Sequence, residues 1–426
     1  MKSLYWFRND LRLSDNPSLN LAIEKSEEIL FAYNYDTSND KESSWGFKKT
    51  SQHRKSFLFQ GVSELKSELN QYGHSLNIYV DDSVTILNNL VKKYKIDTIF
   101  CESIEVYEET KQIELLEREG VNVSCFWQSS LFMKHQLPFS IEEIPNVFTE
   151  FRKKIEDVGI TPNKPINISK KIASIKSIDD KQLIDLNTNL HDYRKSSFPI
   201  SYKEFMGGEK PGKRYLNSYF QSDKPKKYKE TRNELMGVNF STKFSPWLAT
   251  GYLSAREIFF NLKEYESKIT KNESTYWIFF ELLWRDYFRF IMIKYGDKLF
   301  YKNGLNLTTQ NINHDDENYM SWIEGKTDDS FINAGMIELK ATGFLSNRMR
   351  QIVASYLINE LSCDWRAGAA WFESQLIDYD VYSNQGNWAY MAGCGTDPRG
   401  GRFFNIEKQK KMYDSKSIYQ NFWNQS

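Results

Sequence analysis

The stretch LNIYVDDSVTILNNLVKKYKIDTIFCESIEVYEETKQIELLEREGVNVSCFW (76–127) decides the fold. It reads as strand, helix, strand, helix, strand. LNIYV (76–80), DTIFC (97–101) and VNVSCFW (121–127) are short apolar runs rich in β-branched and aromatic residues. The segments 84–94 and 105–119 between them read as helices. Alternation at this pitch makes a parallel sheet covered on both faces. Towards the N-terminus, SLYWF (3–7) and ILFAYNY (29–35) are two more strands, and 52–71 is an amphipathic helix. The expectation is an α/β domain over 1–135, a five-stranded, doubly wound parallel sheet with ligands at the carboxyl ends of its strands. No GxGxxG follows the first strand, so an ordinary dinucleotide site is not expected there.

Residues 136–200 change character. LPFSIEEIPNVFTEFRKKIE (137–156) is followed by Pro162, Pro165 and a Lys/Ile/Ser/Asp-rich run, which reads as a connector crossing the surface with one helix near 146–157. From 201 to 426 the pattern is helical. The formal net charge is +0, so no global field draws the chain to nucleic acid or membrane, although a local basic groove is compatible with it. Eight of the eleven tryptophans lie after Pro246, which places planar chemistry, or a Trp-rich helical core, in this half. Cys101, Cys125, Cys363 and Cys394 show neither CxxC nor histidine at ligand spacing, so they read as free thiols of a reducing compartment with no metal site. The N-terminus is charged too early for a secretory signal, and the most apolar run, 276–284, is short and contains Glu281. A cytoplasmic protein with no membrane span is expected.

Four segments of the helical part carry candidate chemistry. GGEKPGKR (207–214) resembles a phosphate loop, but Arg214 stands where a hydroxyl must ligate magnesium and Pro211 removes an amide donor, so a turn opening a helix is expected. In NFSTKFSPWLATGYLSAREI (239–258), Ser241, Thr242 and Ser245 precede a helix beginning near Pro246; they suit an anion such as a pyrophosphate, or simply cap the helix. In 272–296, Trp277, Glu281, Trp284 and Arg285 share one helical face, which is either core or the wall of a cavity for a polar planar substrate. In 347–394, Asn347, Arg350 and Gln351 share a face ahead of Trp365, the loop Asp378-Tyr379-Asp380, Asn384 and Trp388. Arg350 can hold one aspartate of that loop, as a buried ion pair or beside a bound ring system.

Several of these segments are long and specific: WFRNDLRLSDNPSL, YKETRNELMG, KFSPWLATGYLSAR, FELLWRDYFRF, ATGFLSNRMRQ, DWRAGAAWFE, LIDYDVYSNQGNWAYMAG and GTDPRGGRFFNIEKQ. In them the sequence resembles the photolyase/cryptochrome family over nearly its whole length, and within it the DASH-type cryptochromes. The resemblance implies an all-α C-terminal domain that holds FAD. Tyr228, Ser241, Thr242, Lys243, Phe244 and Ser245 would contact its phosphates and ribose. Arg350, Asp378, Tyr379, Asp380 and Asn384 would line its ring system. Glu281, Trp284, Asn347, Gln351 and Tyr390 would line a pocket for a flipped-out pyrimidine dimer, Trp284 giving a stacking face and Gln351 also reaching the DNA. Arg232, Arg402 and Gln409 would touch the DNA backbone. A 5,10-methenyltetrahydrofolate antenna would sit between the domains, with Glu109 as a contact. The implied activity is blue-light-driven splitting of cyclobutane pyrimidine dimers by electron transfer from the excited reduced flavin. The implied partner is single-stranded DNA, or a looped-out duplex or RNA, bound by a monomer. The alternative is a blue-light receptor that binds nucleic acid without repair.

The sequence departs from the family in two places. Trp388 and Trp365 match the inner members of its tryptophan relay, but TTQNINHDDENY (308–319) lacks the outer one, so the relay ends at Trp365 or passes to Trp322 or Tyr319. In EGKTDDSFINAGMIEL (324–339), Ser330, Asn333 and Ile337 replace family residues. (6-4) photoproduct repair, which relies on histidine in the pocket, is not expected. His314 lies in a polar loop, and His53, His74, His135 and His191 read as surface or capping residues.

Overall fold

In the computed structural model, residues 1–180, 193, 195–306 and 313–425 are described. The strands are β1 (Lys2–Phe7), β2 (Glu28–Asp36), β3 (Leu76–Asp81), β4 (Thr98–Glu102) and β5 (Val123–Phe126), and the sheet order is β3-β2-β1-β4-β5, all parallel. Ser3 to Phe7 are buried on both faces, as the unbroken apolar run requires. Helices α1 (Pro17–Lys25), α2 (Gln52–Gln71), α3 (Ser83–Tyr94) and α4 (Tyr107–Arg118) cover the faces. Their starts are chemically specified. Asn16, Ser51 and Asp82 each accept a backbone N–H at the first turn of α1, α2 and α3. The register places Cys101 opposite Cys125 with the sulfurs 3.6 Å apart, a proximity their spacing in sequence concealed.

The connector differs from its expected form. Helix α5 (Phe148–Val158) buries Phe148, Phe151 and Ile155, and Phe198 and Ile200 are also fully buried. A sixth strand, β6 (Lys176–Ser177), pairs with Glu28 and Ile29. The described parts of the segment therefore contribute to the core as well as crossing the surface. The stripe Phe148, Phe151, Ile155 was its visible signal.

The helices that follow are α6 (Glu209–Phe220), α7 (Tyr228–Thr231), α8 (Ser245–Ala249), α9 (Ala255–Lys268), α10 (Glu273–Tyr295), α11 (Asp316–Glu324), α12 (Ser330–Thr342), α13 (Asn347–Ser355), α14 (Trp365–Gln375), α15 (Val381–Met391), α16 (Ile406–Tyr413) and α17 (Ile418–Asn424). The segment 207–214 opens α6, and Glu64 accepts the N–H groups of Glu209 and Lys210, so these amides are not free for a phosphate. Ser330, Asn333 and Ile337 serve structure. Ser330 donates to Gln420, Asn333 ties Thr327, and Ile337 packs on Gly325.

Buried polar contacts fix the sheet half to the helical half. Asp286 of α10 accepts the N–H groups of Leu131 (2.8 Å) and Phe132 (2.9 Å). Arg256 pairs with Asp15 at 2.9 Å, and Arg12 donates to Gly251 O. His53 bridges Tyr193 and the Lys340 carbonyl, and His74 is buried against Ile172 O, so neither is the surface or capping residue expected. His191 and residues 308–312 lie outside the described residues. Among those described, no helix is long and apolar enough to cross a membrane.

Candidate functional site

Three walls enclose a cavity of about 760 Å³ in the helical half, within the size range of cofactor and ligand sites. The central face of α10 supplies Trp277, Glu281, Trp284 and Arg285. A second wall comes from Tyr228, Thr242, Phe244 and Ser245. The third comes from Asn347, Arg350 and Gln351 of α13, Asp378 and Asp380 of the loop between α14 and α15, and Tyr390 of α15. A smaller cavity of about 100 Å³ shares Asn347, Arg350, Gln351, Asp378 and Asp380 and adds Tyr379, Asn384 and Trp388. The stripe on α10 is thus a cavity wall as well as packing.

The charged groups are held in fixed pairs. Arg350 donates to both oxygens of Asp378, at 3.0 and 2.9 Å, and its Nε donates to Leu345 O. The fork geometry aims the guanidinium and removes its rotational freedom. Asp380 accepts the Ser383 N–H as the N-cap of α15 and also accepts from Arg289 at 3.2 Å. Burial alone would raise the Asp380 pKa, but the charges of Arg289 and Arg285 outweigh it and hold the carboxyl below its ordinary value. Arg289, behind the wall, also lies 3.7 Å from buried Glu102 of β4. This link between the sheet and the site was not legible in sequence, because its partners are nearly two hundred positions apart.

Glu281 and Arg285 share a helical face, as the spacing predicts, but Glu281 does not pair with Arg285. Instead it is paired with Arg232 of the segment after α7, which also stacks on Trp277 at 4.3 Å. Burial pushes the Glu281 carboxyl up, and Arg232 partly offsets this. Arg232, expected on the DNA backbone, is therefore occupied within the cavity wall. Arg285 has no carboxylate partner among the described residues. It donates to Ser129 O and Leu248 O, and burial pulls its guanidinium down to about 10.

Helix α8 is only five residues long, so it offers little dipole for an anion. Phe244, not a serine, stands at its N-cap with no side-chain cap bond, and Thr242 and Ser245 line the cavity. Ser241 turns away, accepting the Lys243 N–H. The Lys243 side chain also departs from expectation. It is buried over the rings of Phe240 and Phe344 with its amine unpartnered among the described residues, and burial drives it well below its ordinary pKa. Gln409 is buried within α16 and does not reach the cavity. Arg402 does, but it is tied to Asp397 at 3.0 Å and donates to the Tyr390 hydroxyl.

Aromatic packing sets the remaining geometry. Phe148 stacks on Trp284, with centroids 3.7 Å apart and planes 14° from parallel, and Tyr390 meets Trp284 edge-on at 5.7 Å. One face of Trp284 is thus already covered from the connector, a support sequence reading missed. Trp388 is buried and packs on α14 at Gly368, where a Cβ would meet the indole at 2.3 Å. Trp365 is buried, and its N–H donates to Lys302 O. A third cavity, of about 180 Å³, lies at the carboxyl ends of β1 and β2 and is lined by Arg8, Asp36, Arg54, Glu109 and Tyr379 among others. Tyr379, under the Arg54 guanidinium at 4.4 Å, borders this cavity and the small one beside Trp388.

Comparison with known proteins agrees with this architecture. A family profile described as DNA photolyase matches residues 3–167, and one described as the FAD binding domain of DNA photolyase matches residues 277–425. The chain is 40% identical to the Cryptochrome DASH of Gloeobacter violaceus, over 99% of this chain and 85% of that protein. It is 39% identical to the Cryptochrome DASH of Xenopus laevis, over 98% and 81%. The crystal structure of the Synechocystis cryptochrome superposes with a TM-score of 0.91 at 39% identity, covering 99% of this chain and 88% of that one. An archaeal photolyase from Sulfolobus tokodaii shares the fold, with a TM-score of 0.79 at 23% identity. A parallel sheet joined to a helical FAD-binding half defines the photolyase class of protein. The chain belongs to the photolyase/cryptochrome family, in its DASH cryptochrome branch.

The residues present fit FAD. Arg285 is a buried cation with no carboxylate at ion-pair distance among the described residues, and Thr242 and Ser245 are hydroxyls not spent on capping, a donor set suited to phosphate. Asp378 and Asp380 are acceptors for ring N–H groups, and Arg350 brings a cation to the same wall.

Proposed function

We propose that the protein is a light-driven DNA repair enzyme, a carbon–carbon lyase that splits cyclobutane pyrimidine dimers and prefers single-stranded DNA. One observation carries this reading. Glu281, Trp284, Asn347, Gln351 and Tyr390 line the same cavity as the residues that fit FAD, so a flipped-out pyrimidine dimer and the cofactor would share one cavity. FAD held by Arg285, Thr242, Ser245, Arg350, Asp378 and Asp380 would supply the light-driven one-electron chemistry that opening the cyclobutane ring requires.

The chain's own groups position and stabilise. Trp284, fixed from behind by Phe148, presents a rigid stacking surface to the two bases. Glu281, its pKa raised by burial, is suited to donate a hydrogen bond to a dimer carbonyl as negative charge gathers there. Arg350 and Asp378 form a fixed pair that orients the ring system. Arg348 and Arg399, which also line the cavity, supply phosphate contacts without a broad basic field, which favours a flexible single strand over a duplex that must be unstacked.

The cleft containing Arg8, Arg54 and Glu109 is our proposed site for a folate antenna, and the protein acts as a cytoplasmic monomer. Illumination of the chemically reduced protein with a dimer-bearing oligonucleotide tests the reading. Dimers in single strands are lost in the light and persist in the dark. Persistence in both contradicts it and favours a light receptor without repair.

A further inference from the structure

The family's inner tryptophans are Trp388 and Trp365, yet the rings in contact with Trp388 among the described residues are Phe372, which is not readily oxidised, and Trp322, which leads elsewhere. Trp322 of α11 meets Trp388 edge-on at 6.4 Å. Tyr319, one turn earlier, stacks on Trp322 at 6.3 Å and 21°. Trp45, from the loop between β2 and α2, meets Tyr319 edge-on at 6.2 Å. His314 packs against both Trp45 (5.2 Å) and Tyr319 (5.3 Å) and closes the group. Trp388, Trp322 and Tyr319 are buried, and Trp45 is partly exposed. A contiguous line of oxidisable rings therefore runs from the cavity wall to the surface, and its last member comes from the N-terminal half of the chain.

We propose that Trp388–Trp322–Tyr319–Trp45 is the route by which this protein draws electrons from solution to its flavin, with Trp45 as the surface terminus. The proposal rests on the FAD reading above. In chemical terms, light makes the bound oxidised flavin a one-electron oxidant, and Trp388 loses one electron to it. Trp322 refills Trp388, and the vacancy passes outward across the ring of Tyr319 to Trp45. The inner rings cannot trap it by losing a proton. The Trp322 N–H is bonded to the Val353 carbonyl and the Tyr319 hydroxyl to the Ala367 carbonyl, and neither carbonyl is a base. Burial pushes the Tyr319 hydroxyl well above its ordinary pKa, which further disfavours deprotonation there. At Trp45 water takes the indole proton. A thiol in solution then returns one electron and one proton, and two such turnovers leave one disulfide.

The test uses the flavin-bearing full-length protein, dithiothreitol and blue light. Bleaching of the oxidised flavin band is followed in native protein, Trp45→Phe, Trp322→Phe and Trp365→Phe. In native protein illuminated without thiol, peptide mapping locates oxidised tryptophan. Trp45→Phe slows bleaching by roughly tenfold or more, which corresponds to about 1.4 kcal/mol in barrier. Oxidation accumulates on Trp45 in native protein and disappears in Trp322→Phe. Native-rate bleaching in Trp45→Phe, with no oxidation on Trp45 and loss of bleaching only in Trp365→Phe, overturns the route. The Trp45 substitution and the native-protein mapping decide the matter even if the buried Trp322 variant folds poorly. Repair by protein reduced chemically in the dark bypasses the route, so failure here with repair intact contradicts this inference alone.

Discussion

Glu281 sits at the point where sequence and structure diverge most usefully. Its presence on an aromatic helical face signalled a cavity, but its partner could not be read from helical spacing, because Arg232 arrives from a segment forty-nine positions away. The pair sets the acid's behaviour. Burial raises the Glu281 pKa and Arg232 restrains it. Replacing Arg232 with Met therefore raises that pKa further, and the high-pH limit of repair moves upward in a pH–rate profile. Glu281→Gln keeps a donor but loses the tunable proton. It is expected to retain flavin and to flatten that profile while costing about tenfold in single-turnover repair. Lys243 shows the opposite failure of sequence reading. The family resemblance implied Lys243 as a contact of the FAD phosphates and ribose, yet two positive-φ residues, Ser241 and Lys243, turn the chain and the amine is buried. Backbone reversal of that kind has no signature at non-glycine positions.

At the level of elements, the strands and long helices were legible because burial on both faces, or on one stripe, writes its period into the chain. The five strands fall where the apolar runs stand, and α2 spans Gln52–Gln71 as the spacing dictates. Short elements were legible only in part: the start of α8 near Pro246 was readable from its proline, but its five residues are too few to show a stripe, and the two residues of β6 show no repeated alternation. Helix packing makes two predictions. Gly368→Ala drives a methyl into the Trp388 indole. It should cost about 1–3 kcal/mol in urea unfolding and slow flavin photoreduction. Asp380→Ala removes the cap of α15, worth about 1 kcal/mol, and strips Arg289 of its nearer carboxylate, worth about 3–5 kcal/mol for a buried pair. Loss of bound flavin on gel filtration is the expected result. Where α12 and α17 meet, Glu338 is fully buried, accepts from Tyr419 and Ser197, and is pushed up to about 8 from 4.5 by burial. The folded state thus binds more protons than the unfolded chain between these values. Stability is greatest below about 4.5 for this group, falls as pH rises to about 8, and is level beyond. Glu338→Gln should remove that slope, on the order of a few kcal/mol, from the pH dependence of unfolding.

For the whole molecule, the two halves are joined by a few buried polar clasps, Asp286 to the Leu131 and Phe132 amides, Arg256 to Asp15, and Arg289 to Glu102 and Asp380. These long-range pairs explain why a site in the helical half depends on residues of the sheet, and why no local pattern announced them. The connector adds to this, because Phe148 braces Trp284 from outside the helical half. The site's inventory was largely readable from residue types and motif resemblance, whereas its wiring, which residue holds which, required the fold. The central claim is that one cavity houses both a photoreductant and a pyrimidine dimer. The most direct measurement is repair of a single cyclobutane dimer in a short single-stranded oligonucleotide by chemically reduced protein, compared under blue light and in darkness. Light-dependent restoration of the intact bases, lost when Glu281 and Trp284 are replaced, is the predicted result. Dimers that remain unchanged after illumination of flavin-loaded, reduced protein would contradict it.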